Sequence, residues 1–369
     1  MNYAARQTAL ARVLAKVRTD ALLVTHLPNI RYLCGFTGSA AALLLSEKHS
    51  IFFTDGRYTT QARQEVHGAT VIVKRKSPVM AAAEWIKSNQ MKLNQARRRS
   101  ARSYLGIEAD HLTVADHERL HSILPSSIRL RGTPGLVERA RMVKDDAELA
   151  AMRTAASLGV ELFESVIRNL HVGDKESEIA VALESAARKA GAEAMSFPSI
   201  IASGERSALP HARASSAPIA AGSFVVCDFG VILAGYCSDM TRTLYAGTPS
   251  AEARRVYQAV LAAQQAAVEA VRAGVSTGQI DRVARSSLRR EGLAKYFTHS
   301  TGHGVGLEIH EAPRLAAAQT EVLKPGMVVT IEPGVYLPGR WGVRIEDTVV
   351  VTENGCEVLT PATRELIAV

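Results

Sequence analysis

Two apolar stretches of the same length decide the fold of this chain: Gly222-Ser-Phe-Val-Val-Cys-Asp228 and Gly326-Met-Val-Val-Thr-Ile-Glu332. Each has the continuous apolar pattern of a buried strand and ends on an acid six residues after its first glycine. A second acid follows each stretch, Asp239 after the first and Glu346 after the second. We therefore expect two hairpins with acids at their tips, which would bring four carboxylates together on one curved sheet.

The helical segments before these stretches repeat as well. Gly173 begins a motif that Gly274 repeats 101 residues later, and the helices that follow end at Gly191 and Gly292, again 101 residues apart. A longer helical pattern precedes each motif. The repeat predicts two similar halves that face each other about a pseudo-two-fold axis.

The first part of the chain has a different pattern. Residues 1–135 alternate helical segments with five short apolar strand candidates, which begin at Ala21, Ala41, Ser50, Ala69 and Leu105. This alternation is typical of an α/β layer domain, and Gly132-Thr-Pro-Gly135 ends this part with turn residues. With 369 residues and 47% hydrophobic content, the chain is long enough for two cores. We predict an α+β protein of two domains, 1–135 and 136–369.

Five residues of the second part form a candidate metal-binding set: Asp228, Asp239, His303, Glu332 and Glu346. Buried carboxylates at this density repel one another and would take up protons unless cations compensated their charge. A carboxylate-rich set with one imidazole suits manganese or cobalt better than zinc, which prefers thiolates. Two divalent metal ions per subunit would neutralise the set and activate a water, so the pattern indicates metal-assisted hydrolysis.

Composition argues against several other classes of function. No apolar run approaches eighteen residues and the first residues lack the apolar block of a signal peptide, so neither a membrane span nor secretion is expected. Four scattered cysteines favour reduced thiols and a cytoplasmic protein. The net charge of +8 comes partly from Arg97–Arg99 and Arg102, which lack interleaved aromatic residues and indicate a solvated loop rather than a nucleic-acid surface.

The chain resembles the pita-bread metallopeptidases, in the branch that holds aminopeptidase P, prolidase and related Xaa-Pro peptidases. The resemblance lies in the order of the five candidate ligands and in the motif Thr301-Gly-His-Gly-Val-Gly-Leu-Glu-Ile-His310-Glu-Ala-Pro. The motif Leu209-Pro-His-Ala-Arg-Ala also matches, and Asn29–Gly38 and Thr54–Tyr58 are similar to the family's N-terminal domain. The resemblance implies a creatinase/prolidase-type N-terminal domain followed by a pita-bread catalytic domain.

The same resemblance implies a role for each candidate ligand. Asp228 would bind one metal ion through both oxygens, and His303 and Glu332 would bind the other. Asp239 and Glu346 would bridge the pair. In the family, the residue that matches Glu332 also accepts the proton of the attacking water.

Five further residues match groups beside the family's substrate or its metal ligands: His211, His299, His310, Tyr336 and Arg344. His211 and His310 would hydrogen-bond the scissile carbonyl, and histidine is a suitable donor to the oxyanion that develops there. His299 matches a histidine near the substrate, although its segment also fits a packed turn. Tyr336 and Arg344 would orient the ligating carboxylates, a role with which a plain ion pair of Arg344 is compatible.

The resemblance leaves the substrate open between two classes. Prolidases hold the carboxylate of a dipeptide with an arginine fourteen residues before the first glutamate ligand, and this position is Ala318 here, although Arg314 and Arg340 lie nearby in sequence. We therefore expect an Xaa-Pro aminopeptidase that acts on peptides with proline second. An Xaa-Pro dipeptidase is the alternative, and a non-catalytic binding module on the same fold is a more remote one. The resemblance also implies a homodimer, and neither nucleic acid nor a membrane is an expected partner.

Overall fold

The computed structural model describes residues 1–89 and 103–369. Over these ranges the chain forms two compact units, Met1–Arg141 and Met142–Val369. The boundary predicted after residue 135 lies just before the last helix of the first unit. The basic run of Arg97–Arg99 and Arg102 lies outside the described residues.

The first unit is built on a mixed sheet. Its described strands are β1 Ala21–Val24, β2 Ala41–Ser46, β3 Ser50–Thr54, β4 Thr70–Val73, β5 Ser103–Ile107 and β6 Ile128–Gly132. They lie in the order β4-β3-β2-β1-β5-β6; β2 pairs antiparallel with both β1 and β3, and the other pairs are parallel. Its described helices are α1 Tyr3–Lys16, α2 Leu27–Cys34, α3 Thr59–Glu65, α4 Pro78–Ser88, α5 Val114–Ile123 and α6 Leu136–Arg141.

Apolar strands explain why the centre of this sheet is buried. Every residue of β1 and the first five residues of β2 are buried. Leu23, Leu44 and Phe53 pack with Ile86 of α4 in one core. Near-continuous apolar strands are typical of a sheet that is covered on both faces. Five of the six strands were predicted from the sequence, and β6 was not.

The second unit contains four long helices and the remaining strands. The helices are α7 Asp146–Asn169, α8 Glu176–Lys189, α9 Ala251–Glu269 and α10 Thr277–Arg290. The strands are β7 Ala194–Met195, β8 Ile200–Ser203, β9 Ser223–Phe229, β10 Val231–Leu233, β11 Tyr236–Cys237, β12 Met240–Ala246, β13 Gly302–Gly304, β14 Glu311–Leu315, β15 Val328–Ile331, β16 Gly334–Leu337, β17 Trp341–Arg344, β18 Asp347–Val351 and β19 Cys356–Val358. Among the described residues, no helix has the length and apolar character needed to cross a membrane.

The internal repeat expected from the sequence is visible in this unit. Helices α7 and α8 pack on β9 and β12 through a core that includes Leu183 and Leu244. Helices α9 and α10 pack on β15 and β18 through a second core that includes Leu288 and Val329. Each half therefore buries the apolar face of a helix pair against one strand pair.

The two strand pairs carry the four acids, as expected, but they do not form one sheet. Asp228 of β9 lies opposite Thr241 of β12, and Ile331 of β15 lies opposite Asp347 of β18. These pairs belong to a three-stranded sheet, β12-β9-β8, and a five-stranded sheet, β14-β13-β15-β18-β19. The expectation of one curved sheet is therefore wrong. The Glu346 N–H donates to the Thr241 carbonyl (3.1 Å), but this bond does not continue into a ladder that would join the two sheets.

Candidate metal centre

The four acids and His303 converge where the two halves of the second unit meet. Asp228 lies in β9 and His303 in β13, whereas Asp239, Glu332 and Glu346 lie immediately beside β12, β15 and β18. All five line a cavity of about 620 Å³. Four more of the predicted site residues also line it: His211, His299, His310 and Arg344.

Two glycines determine where His303 lies. A Cβ on Gly302 would lie 1.8 Å from the Thr330 carbonyl oxygen, and one on Gly304 would lie 2.3 Å from the Ala312 carbonyl oxygen. The register between β13 and β14 also shifts between His303 and Gly304. The absence of side chains permits the neighbouring backbones to approach, and a shifted register is a common way to redirect a side chain.

The imidazole of His303 presents a lone pair to two of the acids. Its Nδ1 lies 3.0 Å from the Gly304 carbonyl oxygen, and because a carbonyl only accepts, Nδ1 carries the hydrogen. Nε2 lies 3.6 Å from Oδ2 of Asp239 and 3.5 Å from Oε1 of Glu332. Burial lowers the pKa of His303, which favours the neutral ring. A lone pair that faces carboxylate oxygens is unfavourable unless a cation lies between them.

Burial and mutual repulsion raise the pKa values of the acids. Burial, and then Glu346, Asp228 and Glu332, raise the pKa of Asp239 well above its usual value. Burial, Glu332 and Asp228 do the same to the pKa of Glu346. Burial raises the pKa of Glu332 to about 7, although Arg344 opposes the shift. Full ionisation of this group therefore requires added positive charge.

Within the part of the chain that the structure describes, one carboxylate oxygen of Asp228 has a hydrogen-bond partner and the other has none. Its Oδ2 accepts a hydrogen bond from the Arg344 guanidinium, but its buried Oδ1 has no hydrogen-bond partner among the described residues. One ligand atom from each of Asp239, His303 and Glu346 lies within 4.8 Å of the other two. An unpaired buried carboxylate oxygen, a neutral imidazole and a compact group of oxygen donors fit a divalent cation.

Behind the acids, three side chains form a chain of hydrogen bonds. Nη1 of Arg344 donates to the Tyr336 hydroxyl (2.6 Å), which lies 2.9 Å from Nε2 of His299. His299 Nδ1 lies 2.8 Å from the Ser300 carbonyl, so Nδ1 carries the hydrogen and Nε2 accepts from Tyr336. Burial lowers the pKa of His299 to about 4, in keeping with a neutral ring.

These contacts distinguish His299 and Tyr336 from the other predicted site residues. Both ring nitrogens of His299 already have partners within the chain, so neither is available to a substrate. Tyr336 is buried and does not line the cavity. The arrangement supports an orienting role for Tyr336 and Arg344, and the contacts of His299 fit the packed-turn alternative.

His211 and His310 are the exposed histidines of the cavity. The rings of His310 and His303 meet edge to face, with 4.4 Å between their centroids. Partial burial, and then His303 and His211, lower the pKa of His310. Both imidazoles border the space that a substrate would enter, and their ring nitrogens are not both occupied as those of His299 are.

Thr241 contacts two of the predicted site residues, but it was not itself predicted from the sequence. Its hydroxyl donates to Oε2 of Glu346 (2.6 Å) and accepts from Nε of Arg344 (3.1 Å). The available signal was its position two residues after Asp239, a spacing that places two side chains on the same side of a strand.

Comparisons with known proteins match both units. The model of metallopeptidase family M24 matches residues 150–353, and that of the creatinase/prolidase N-terminal domain matches residues 6–143. The Xaa-Pro dipeptidase of Pyrococcus horikoshii is 36% identical over 351 residues, which cover 94% of this chain and 94% of that protein.

Two solved structures are similar over nearly the whole chain. An Xaa-Pro dipeptidase from Bacillus anthracis has a TM-score of 0.93 and 38% identity, and the match covers 100% of both chains. An X-Pro aminopeptidase from Thermotoga maritima has a TM-score of 0.87 and 35% identity, over 98% of this chain and 100% of that chain. The predicted architecture, a creatinase-like N-terminal domain and a pita-bread C-terminal domain, is confirmed.

Proposed function

Because the chain belongs to metallopeptidase family M24, and is therefore a metallopeptidase, we propose that it is an Xaa-Pro dipeptidase. It would hydrolyse the bond between an N-terminal residue and a C-terminal proline. The observation that carries the proposal is the buried group of four acids and His303, whose negative charge Arg344 compensates only in part and which opens into a cavity bordered by two exposed histidines.

The names of the relatives favour this substrate over the one expected from the sequence. The relative from Pyrococcus horikoshii and the structure from Bacillus anthracis are both called Xaa-Pro dipeptidases. The sequence alone favours an Xaa-Pro aminopeptidase, because Ala318 stands where prolidases carry an arginine. The aminopeptidase becomes the second candidate, supported by Ala318 and by the similarity to the Thermotoga maritima structure.

A dipeptidase needs a positive group for the carboxylate of its substrate, and Arg314 is our candidate. Arg314 lines the cavity and lies opposite His303 in the pairing of β14 with β13. Arg340, the other arginine considered from the sequence, forms a bidentate pair with Glu252 at the surface, with bonds of 3.0 and 2.7 Å. We propose that Arg314 supplies the contact that Ala318 does not.

The proposal includes two divalent metal ions per subunit, manganese first, with cobalt or zinc as alternatives. Asp228 would hold one ion, and His303 and Glu332 the other, with Asp239 and Glu346 as further ligands. When bound, the ions supply Lewis-acid chemistry for the attack of water on the scissile carbonyl.

The side chains of the protein would orient the substrate and move its protons. His211 and His310 would donate hydrogen bonds to the scissile carbonyl oxygen, where negative charge develops. Glu332 would accept the proton of the attacking water on its carboxylate and return it to the leaving proline nitrogen. Arg344 would keep Asp228 in one orientation.

A paired assay tests the substrate class. The manganese-loaded enzyme is given Ala-Pro and Ala-Pro-Ala at equal concentration. Cleavage of the dipeptide alone would support the proposal, whereas cleavage of the tripeptide at the Xaa-Pro bond would favour the second candidate.

A pair of arginine variants tests the carboxylate contact. Arg314→Gln should raise the KM for Ala-Pro roughly tenfold or more, because a hydrogen bond between charged groups is lost. Arg340→Gln is the matched control, since it removes an arginine outside the cavity, and it should leave this KM unchanged. An unchanged KM in Arg314→Gln would remove Arg314 from the proposal.

The remaining expectations belong to the same proposal. We infer a homodimer, which light scattering of the purified chain tests, and a cytoplasmic location, with which four free cysteines are in keeping. A binding module on the same fold would instead retain less than one metal ion per chain after manganese loading and would show no peptidase activity.

A further inference from the structure

The position of His211 depends on its backbone and not on its side chain. Its imidazole is exposed and makes no hydrogen bond within the described residues. It lies in the segment 203–217, which leads from the end of β8 past the cavity. An imidazole that donates to a substrate must be held to a fraction of an ångström, so this segment must be fixed by other residues.

Glu176, the first residue of α8, closes the segment into a loop. Its side chain is fully buried, and its carboxylate accepts four hydrogen bonds from the segment. Oε1 accepts from the N–H of Ser203 (2.9 Å). Oε2 accepts from Nε of Arg206 (2.9 Å) and from the N–H and hydroxyl of Ser215 (3.1 and 2.8 Å). One buried carboxylate thus joins the beginning of the segment to its end.

Arg206 extends this contact to the backbone beside the histidine. While its Nε is held by Glu176, its Nη2 donates to the carbonyl of Arg213, two residues after the histidine. On the other side, the carbonyl of Pro210 accepts from Nη1 of Arg344 (3.1 Å). The backbone is therefore held by an arginine on each side of the histidine, and Glu176 fixes one of the two.

Stabilisation of the helix dipole is the simpler explanation for an acid in the first turn of α8. Glu178 offers the comparison, because it lies in the same turn, is exposed and pairs with Lys175 (2.7 Å). A negative charge at this helix terminus is thus available without Glu176. The dipole also does not explain why one carboxylate collects four donors from a single loop.

We propose that Glu176 is a positioning residue for His211. By holding Ser203, Arg206 and Ser215, it fixes the loop that presents the imidazole to the scissile carbonyl. The inference rests on the proposed function, because the role of His211 is part of that function.

The first test does not depend on activity. Arg213 is exposed, so trypsin can cut after it once the loop opens. In the metal-loaded protein, Glu176→Ala should speed cleavage after Arg213 roughly tenfold or more, because local opening becomes easier. Glu178→Ala, which removes a carboxylate from the same helical turn, should leave the rate at the wild-type value. Mass spectrometry identifies the cut, and a wild-type rate in Glu176→Ala would overturn the proposal.

A double-mutant cycle tests whether Glu176 acts through His211. Glu176→Ala should lower kcat/KM for Ala-Pro roughly ten- to a hundredfold, mainly through kcat and with unchanged metal content. Glu176→Gln keeps one acceptor oxygen and should recover part of the loss. In a His211→Ala background, Glu176→Ala should lower kcat/KM for Ala-Pro by less than about twofold. Effects that multiply in the double variant would overturn the proposal.

Two further outcomes remain interpretable. If Glu176→Ala does not fold, Arg206→Met breaks the same link at a side chain that is 34% exposed. Arg206→Met should also lower kcat/KM for Ala-Pro, by a smaller factor, and this loss should again nearly disappear in the His211→Ala background. If the wild-type protein cleaves no Xaa-Pro dipeptide, the proposed function fails. The trypsin rates would still decide whether Glu176 holds the loop.

Discussion

Both units of the chain bury acidic side chains, and the two groups have opposite surroundings. In the first unit, the buried Glu108 and the half-buried Glu138 are met by hydrogen-bond donors. In the second unit, the acids around His303 face one another. The comparison shows how a buried acid that stabilises a fold differs from one that needs a cation.

Glu108 illustrates the first kind of surroundings. It is 4% exposed, and its Oε2 accepts from the N–H groups of Thr25 and His26 (2.6 and 2.8 Å) and from the Thr25 hydroxyl (3.1 Å). Its Oε1 accepts from Nδ2 of Asn29 (2.7 Å). A buried carboxylate with this many donors needs no further partner.

The pKa values follow the same contrast. Burial raises the pKa of Glu138, but hydrogen bonds from Asn29 and His111 outweigh burial and bring the pKa below its usual value. For Asp239 and Glu346, burial and neighbouring acids act in the same direction, and both pKa values rise. A buried acid therefore indicates a cation site when its neighbours are other acids, and a structural role when they are donors.

The largest effect is expected from Glu332→Ala in the second unit. The change removes a proposed proton acceptor that is also a proposed metal ligand, so kcat for Ala-Pro should fall by at least about 10³-fold and metal binding should weaken. Turnover and metal content are measured on the same samples. Near wild-type activity would contradict the role of Glu332.

His310→Ala should have the next largest effect. It should lower kcat by roughly 10²-fold, as the loss of one oxyanion donor does, while the metal content stays unchanged. His171→Ala is the control, since His171 is an exposed histidine that does not line the cavity. Loss of metal from His310→Ala would show that His310 is a ligand and not a donor.

Glu108→Gln tests the acid of the first unit. The amide nitrogen would face a donor, so at least one buried N–H would lose its acceptor, at a cost of about 1–3 kcal/mol in the free energy of unfolding. Denaturant titration measures this loss, while kcat for Ala-Pro below the transition should equal the wild-type value. A fall in kcat without loss of stability would contradict a purely structural role for Glu108, and with it the contrast drawn between the two units.

Asp239→Asn should have the smallest effect, and it should stabilise the metal-free protein. In the metal-free protein at neutral pH the change removes an acid whose ionised form is disfavoured by burial and by the neighbouring acids, so the free energy of unfolding should rise by about 1 kcal/mol and Tm by roughly 2–4 °C. Calorimetry in the presence of a chelator measures the difference. With manganese bound, the wild-type protein should be the more stable of the two, because it gains more free energy from binding the metal than the variant does. A less stable metal-free variant would argue against repulsion among the acids.

The acids could be predicted from the sequence because their pattern is local. An apolar strand that ends on an acid is visible in the stretches before Asp228 and Glu332, and the repeat of this pattern predicted the two halves. Strand β6 was missed, because its alternation of Ile128, Arg129 and Leu130 contains too few apolar residues to stand out. Alternation of this kind is nevertheless the pattern of a half-buried strand.

Contacts between distant residues could not be predicted in this way. The bond between His299 and Tyr336 joins residues 37 positions apart, and only the structure shows that it occupies the second ring nitrogen. Glu176 and Glu178 look alike in the sequence, yet one is fully buried and the other exposed. Whether a charged residue is buried depends on which loop folds over it, and the local pattern contains no information about that.

The two glycines beside His303 limit how this protein can vary. Neither position accepts even the single carbon of an alanine side chain, because the carbonyl oxygens of Thr330 and Ala312 already occupy the space. In a library of single substitutions, Gly302 and Gly304 should tolerate change as poorly as the histidine between them, although neither contributes a ligand atom. The candidate metal centre thus depends on three consecutive positions, 302–304, although only the middle one carries a side chain that could bind an ion.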